Sequence, residues 1–192
     1  SEMCIRDRLN QTGKYKKGKK DGLTCEWYEN GNRIEEGIYE EGRQNGIWTW
    51  YYETGIKKEE TQFVDGQQDG LWTQWFPDGQ RKSERTFNNG ERDNKWTSWY
   101  KNGNKKLEAN YKNGKLNGMW IGWYENGIIK EKSGSYNDNK LDKQWTYWAE
   151  DGRKTNETTY IYIYMCIYYI VMYTHGLYMF TYTRLKNIYI YT

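Results

Sequence analysis

An all-β fold, a solenoid or meander of about six stacked β-hairpins with a 24-residue repeat, is predicted by three observations. The first is a repeated unit, clearest in "GLWTQWFPDGQRKSERTFNNGERD" from Gly70 to Asp93. A unit of this size cannot bury its apolar face alone, so neighbours must stack. The second is an Asn-Gly or Asp-Gly dipeptide in the middle of most copies, a strong hairpin signal. The third is the lack of helical periodicity over any run long enough to make a helix.

Each unit opens on a turn glycine. Gly22, Gly46, Gly70 and Gly118 hold this place, with Asn94 and Lys143 standing in at the fourth and sixth copies. The first strand follows, with side chains alternating between two faces. In the fourth copy Trp96, Ser98 and Tyr100 share one face, and Lys95, Thr97 and Trp99 share the other. The face with two rings per copy is the expected packed side. Aromatic pairs between neighbouring strands contribute roughly 0.2–1 kcal/mol each.

The hairpin glycine comes nine residues after the turn glycine, at Gly31, Gly55, Gly79, Gly103, Gly127 and Gly152. With Asn or Asp before it, both residues tolerate positive φ. The second strand carries Lys58, Lys82, Lys106 and Lys130 three residues beyond that glycine. Glu36, Glu60, Glu84, Glu108 and Glu157 recur five residues beyond it. Lysine and glutamate two apart are expected on one solvated face, where alternating charge protects the sheet from pairing with other chains. The sharper reading makes the lysine row a docking stripe for an acidic partner or membrane phosphates. An aromatic closes the strand at Tyr39, Phe63, Phe87, Tyr111, Tyr136 and Tyr160, and a second turn such as "NGKLNG" leads to the next copy. Toward the end Asn139 and Lys143 replace turn glycines, and Ala149 replaces a tyrosine or phenylalanine. Lys143 is expected to be strained there unless the turn changes type.

Three segments divide the chain. Residues 1–8, "SEMCIRDR", read as a translated transposase-adapter sequence, in which case the native N-terminus and any leader are missing. Residues 9–160 hold the repeat array, whose copies run from Tyr15 to Tyr160. Residues 161–192 form a Tyr/Ile-rich low-complexity tail, expected to be non-native or disordered. Its Tyr-Ile alternation is what a read-through TA repeat would encode, with a tail anchor or an extra strand pair as alternatives.

Composition excludes much chemistry. Of 29 basic and 26 acidic residues, setting aside Glu2, Arg6, Asp7, Arg8, Arg184 and Lys186 leaves 25 and 24, so the array is near neutral. No basic stripe for nucleic acid survives that count. His175 is the sole histidine and lies in the tail, so no histidine-based triad or zinc site can be built in the array. No phosphate-binding glycine fingerprint occurs. No catalytic residue, metal site, cofactor or small-molecule substrate is expected. Cys25 sits where Thr49, Thr73, Thr97 and Thr146 stand in other copies and reads as a small strand residue, not half of a disulfide framework. A cytoplasmic chain is compatible with this, and the compartment stays open.

"GMWIGWYENGIIKEK" (118–132) and "KWTSWYKNGNKKLEANYKNGKLNG" (95–118) carry a resemblance to the MORN-repeat variant family, including YwqK-type antitoxin-like repeat proteins. The resemblance covers Tyr15 to Tyr160. It implies a hairpin solenoid acting as a non-enzymatic scaffold for protein–protein interaction, with an antitoxin or immunity-like partner as one form. It brings no catalytic residues. The alternative is a membrane-associated module, binding phospholipid through Lys58, Lys82, Lys106 and Lys130 or anchored through the tail.

Overall fold

The structure, a computed structural model, describes residues 11–160, 167–173 and 176–182, with side chains described for residues 13–160. The expectation for residues 1–8 lies outside the described residues. So does most of what was expected of the tail, although Ile167–Tyr173 and Gly176–Tyr182 pair as a separate two-stranded antiparallel sheet. The array is one long antiparallel meander, as the repeat predicts. Six hairpins follow one another: Gly22–Trp27 with Arg33–Glu40, Arg43–Tyr51 with Lys57–Val64, and Gly70–Trp75 with Arg81–Asn88 come first. Glu91–Trp99 with Lys105–Lys112, Lys115–Trp123 with Lys130–Asn137, and Lys140–Trp148 with Lys154–Tyr160 complete it. Each strand pairs with its sequence neighbours, so the sheet is built from local contacts.

The two turns of each copy differ, and not in the way the dipeptides suggest. At the Asn-Gly and Asp-Gly turns only the glycine has positive φ, for example Gly31 at 93° and Gly103 at 88°. The Gly31 N–H donates to the Tyr28 carbonyl and the Tyr28 N–H donates to the Asn32 carbonyl, the pattern of a three-residue loop ending in a left-handed glycine. The residue before the glycine holds the loop by accepting from the backbone two residues on: Asn32 N–H to Asn30, Gln80 N–H to Asp78, Asn104 N–H to Asn102. The two-residue turns with both residues left-handed lie instead between copies, at Glu41-Gly42, Asp65-Gly66, Asn89-Gly90, Asn113-Gly114 and Asp138-Asn139.

Both rims of the sheet are tied from copy to copy. On the two-residue-turn rim, Gly42 N–H donates to the Lys20 carbonyl, Gly66 to Gln44, Gly90 to Gln68, Gly114 to Arg92 and Asn139 to Leu116, at 2.7–2.9 Å. On the opposite rim, tyrosine hydroxyls reach the backbone of the next copy: Tyr28 to Tyr51, Tyr52 to Trp75, Tyr100 to Trp123 and Tyr124 to Trp148. The Asn30 and Asn102 amides add bonds to the Glu53 and Glu125 carbonyls. The third copy has Phe76 and Asp78 at these positions. Neither has a donor to give, since phenylalanine has no hydroxyl and an ionised aspartate only accepts.

The core is a row of rings separated by small residues. Trp48 opposes Thr61, Trp72 opposes Arg85, Trp96 opposes Ala109, Trp120 opposes Gly134 and Trp145 opposes Thr158. Trp48 is fully buried and Trp145 nearly so. This bears out the expected packed face. The ring of Trp48 lies flat over Gly37, where an added Cβ would come within 2.2 Å of it, and Trp145 covers Gly134 equally closely. Each indole N–H then reaches the carbonyl after that glycine, Trp48 to Ile38 and Trp145 to Ser135. Tyr39 and Tyr136 meet these two rings edge-on, at centroid distances of 4.9 and 5.1 Å. Cys25 is buried and disulfide-bonded, which corrects the reading of it as a small residue outside any bridge.

Lys143 keeps the left-handed conformation of the glycines it replaces, at φ 58°, so the turn has not changed type to relieve it. Lys143→Gly is therefore expected to raise the urea midpoint, by about 1 kcal/mol of stability. Gly37→Ala is expected to lower it by roughly 2 kcal/mol, because Trp48 must leave its seat.

Candidate functional site

The face carrying Thr49, Thr73 and Thr97 holds a repeated charge cluster. Its glutamates pair with the cation three residues earlier: Arg33–Glu36, Lys57–Glu60, Arg81–Glu84, Lys105–Glu108 and Lys154–Glu157, at 2.5–3.0 Å. Thr49 and Thr146 hydroxyls donate to Glu60 and Glu157. Burial alone would raise the Glu108 carboxyl, but hydrogen bonds from Lys105 and Lys95 outweigh it and leave the group below the usual range. These pairs are surface pairs worth roughly 0–1 kcal/mol each.

The expected sharing of one face by lysine and glutamate two residues apart is corrected by a β-bulge. Lys57 pairs with Tyr51 and Glu59 with Trp50, leaving Lys58 as the extra residue between them. Lys82 and Lys106 are extra residues in the same way. Each bulged lysine lies over the ring just after the preceding strand: Lys58 over Tyr52 at 6.0 Å, Lys82 over Phe76 at 5.9 Å and Lys106 over Tyr100 at 5.3 Å. Lys130 does not join them. The hairpin loop after Tyr124 is one residue longer, closing on Ile129, so Lys130 pairs with Trp123 as Lys105 pairs with Trp99. It belongs to the row of Lys57, Arg81 and Lys105. Glu131 takes the bulge position.

On the ring-bearing face the position two residues after the core tryptophan decides where space is left. Trp50 fills it in the second copy and Tyr147 in the sixth, each packed beside its tryptophan. In the fifth copy the Trp120 ring leans over Gly122, which leaves no room for a Cβ. Gln74 and Ser98 fill it less, and a hollow of about 510 Å³ opens there, lined by Gln74, Ser83, Arg85, Trp96, Ser98 and Leu107 among others. Lys82, Lys106 and Lys101 stand at its margin with Phe76, Tyr100 and Glu125.

Arg85 forms the floor. Its guanidinium lies 4.4 Å from the Trp72 ring centroid and 4.8 Å from that of Trp96. Burial lowers its pKa from the ordinary value, and the neighbouring positive charge of Arg92 adds to this. Arg85 Nε and Trp96 Nε1 are buried and reach no acceptor. Gln74 and Ser83 are already engaged, Ser83 donating to Gln74 and Gln74 donating to Glu59. The sequence reading missed Arg85. The signal was present: its row holds Gly37, Thr61, Ala109, Gly134 and Thr158, small everywhere else. Among the described residues no cluster of three or more His, Cys, Asp or Glu could hold a metal ion, and no helix is long and apolar enough to cross a membrane.

Tyr51 couples the two halves of one charge cluster, its hydroxyl donating to Glu36 while Arg33 pairs with the other carboxylate oxygen. Burial, followed by that bond and the Glu36 charge, pushes its pKa up to about 12. The folded state holds this proton more tightly than the unfolded chain. The associated stability is thus complete below pH ~10, the ordinary tyrosine value, and is lost as pH rises toward 12. Tyr51→Phe is expected to flatten that part of the urea-midpoint profile, by on the order of 1 kcal/mol after allowance for solvent screening. An unchanged slope between pH 9.5 and 11.5 would contradict the assignment.

A family model described as MORN repeat variant matches residues 20–41, 44–65, 68–89, 92–113 and 116–138. No curated protein matches the chain.

Proposed function

Because this chain belongs to the MORN repeat variant family, we propose that it serves as a non-enzymatic scaffold that binds another protein along the ring-bearing face of its sheet. The observation that carries the reading is the hollow at Gln74, Arg85 and Ser98, where the aromatic row leaves space between better-filled copies. Elsewhere the core rings and the turn residues are engaged in holding copy to copy. An antitoxin or immunity-like role is one form such a scaffold could take, with a toxin as the bound protein.

A membrane-associated role is the second reading, and one observation favours it. Lys58, Lys82 and Lys106 lie in register along one rim, each braced on a ring. Such a row could meet lipid phosphates. The near-neutral array weighs against it, since surface binding to anionic lipid gains about 1 kcal/mol per unopposed cation.

Purified protein incubated with phosphatidylcholine vesicles, with and without phosphatidylserine, separates the two. The scaffold reading expects the protein to stay in the supernatant at low salt. It also expects one protein from the source cells to be retained in equimolar amount through a high-salt wash and released by Ser98→Trp. Sedimentation with phosphatidylserine vesicles that falls with salt, and is abolished by combined Lys58→Gln, Lys82→Gln and Lys106→Gln, would favour the membrane instead.

A further inference from the structure

Arg85 is a charged side chain in a row built for small ones. The ladder requires no more than a Cβ between successive tryptophans, as Ala109 and Gly134 show. A guanidinium there spreads Trp72 and Trp96 onto its two sides. It also leaves the Trp96 indole N–H without the backbone acceptor that Trp48 and Trp145 find. The third-to-fourth junction thus contains two buried donors without acceptors, and leaving such groups unpaired costs about 1–3 kcal/mol each. Arg85 makes no hydrogen bond or ion pair with a described residue. Glu59, whose charge acts on it, is bonded to Gln74 instead.

The surroundings match one kind of occupant. The floor is a cation flanked by ring faces, and Lys82, Lys101 and Lys106 give the margin three more positive charges against the single carboxylate of Glu125. Leu107, Phe76 and Tyr100 supply apolar contact beside them. A planar carboxylate can take two parallel bonds from a guanidinium, and a short aliphatic stem behind it can lie against the rings. The hollow spans strands of the third and fourth copies and reaches the hairpin loop of the fifth at Glu125, which suits an extended segment laid across the array.

We propose that this hollow is a subsite for an aspartate or glutamate side chain of an extended acidic peptide, with Arg85 as its counter-charge. The proposal rests on the reading of the array as a protein-binding scaffold and names the chemistry of its partner.

The test is a selection of random linear phage-displayed peptides on the full chain, followed by affinity measurement of the enriched peptides. Enrichment of sequences with Asp or Glu at one fixed place is expected. Amidation of that residue, to Asn or Gln, should weaken binding roughly tenfold or more, the size of a charge-assisted bond. Arg85→Gln should cause the same loss, with no further loss when both changes are combined. Ser98→Trp keeps Arg85 and fills the hollow, so it should block binding even if Arg85→Gln fails to fold. Peptides that bind without an acidic residue, insensitive to Arg85→Gln but blocked by Ser98→Trp, would overturn the carboxylate subsite and leave the scaffold reading standing. No enrichment at all, together with failure to retain any cellular protein, would overturn both. Arg85-dependent binding of phosphatidylserine vesicles or inorganic phosphate in place of peptides would also overturn it.

Discussion

The array depends on one contact repeated along its length: an indole ring laid over a small residue of the neighbouring strand. A tryptophan is large enough to cover the pleat only if its opposite number is small, and Gly37 and Gly134 show the limit, where even a methyl group does not fit. The burial this gives is shared between copies and never completed within one. A single hairpin has no interior of its own, because the ring that would cover its second strand is supplied by the next copy. Stability therefore grows with copy number. The backbone ladder and the rim bonds fix the register that brings ring and small residue together.

The turns serve this spacing from both edges. Left-handed residues on the two-residue-turn rim bond to the preceding copy, so each turn tip rests on the last. The three-residue loops on the other rim end in glycine, and their Asn or Asp side chains hold the loop closed. Tyrosine hydroxyls then tie the strand end to the following copy. The charge clusters lie across the opposite face, where solvent screens them, and as surface pairs they add little to stability.

Much of the fold was legible because the repeat period is long and the glycines mark it. Strand order, hairpin count and the ring-bearing face all follow from alternation and spacing. Spacing failed where one residue too many enters a strand. The bulge at Lys58 moves that lysine off the face of Glu60, and the longer loop after Tyr124 moves Lys130 into another row. A count of residues from a glycine cannot reveal either event, because both depend on which backbone groups pair. The hairpin turn was misread for the same reason: Asn-Gly permits two left-handed residues, but strand register decides whether both are needed. Arg85 was legible in principle as the odd member of a small-residue row. That row stands six residues beyond the hairpin glycine in every copy but the fifth, where the longer loop makes it seven.

Phe76 and Asp78 have a mechanical meaning. Among the described residues, each other junction between copies has a tyrosine hydroxyl bond on the three-residue-loop rim, whereas the one between the third and fourth copies is joined by the strand ladder, the turn tips and the Arg85 guanidinium between Trp72 and Trp96. The compliances of successive rungs add, so a rung with fewer ties takes a larger share of any bend. With one rim bond fewer, a bend at this junction strains fewer contacts than at its neighbours, and the junction runs beside Arg85. A bend there would act on the spacing of Trp72 and Trp96, the two indoles that flank Arg85.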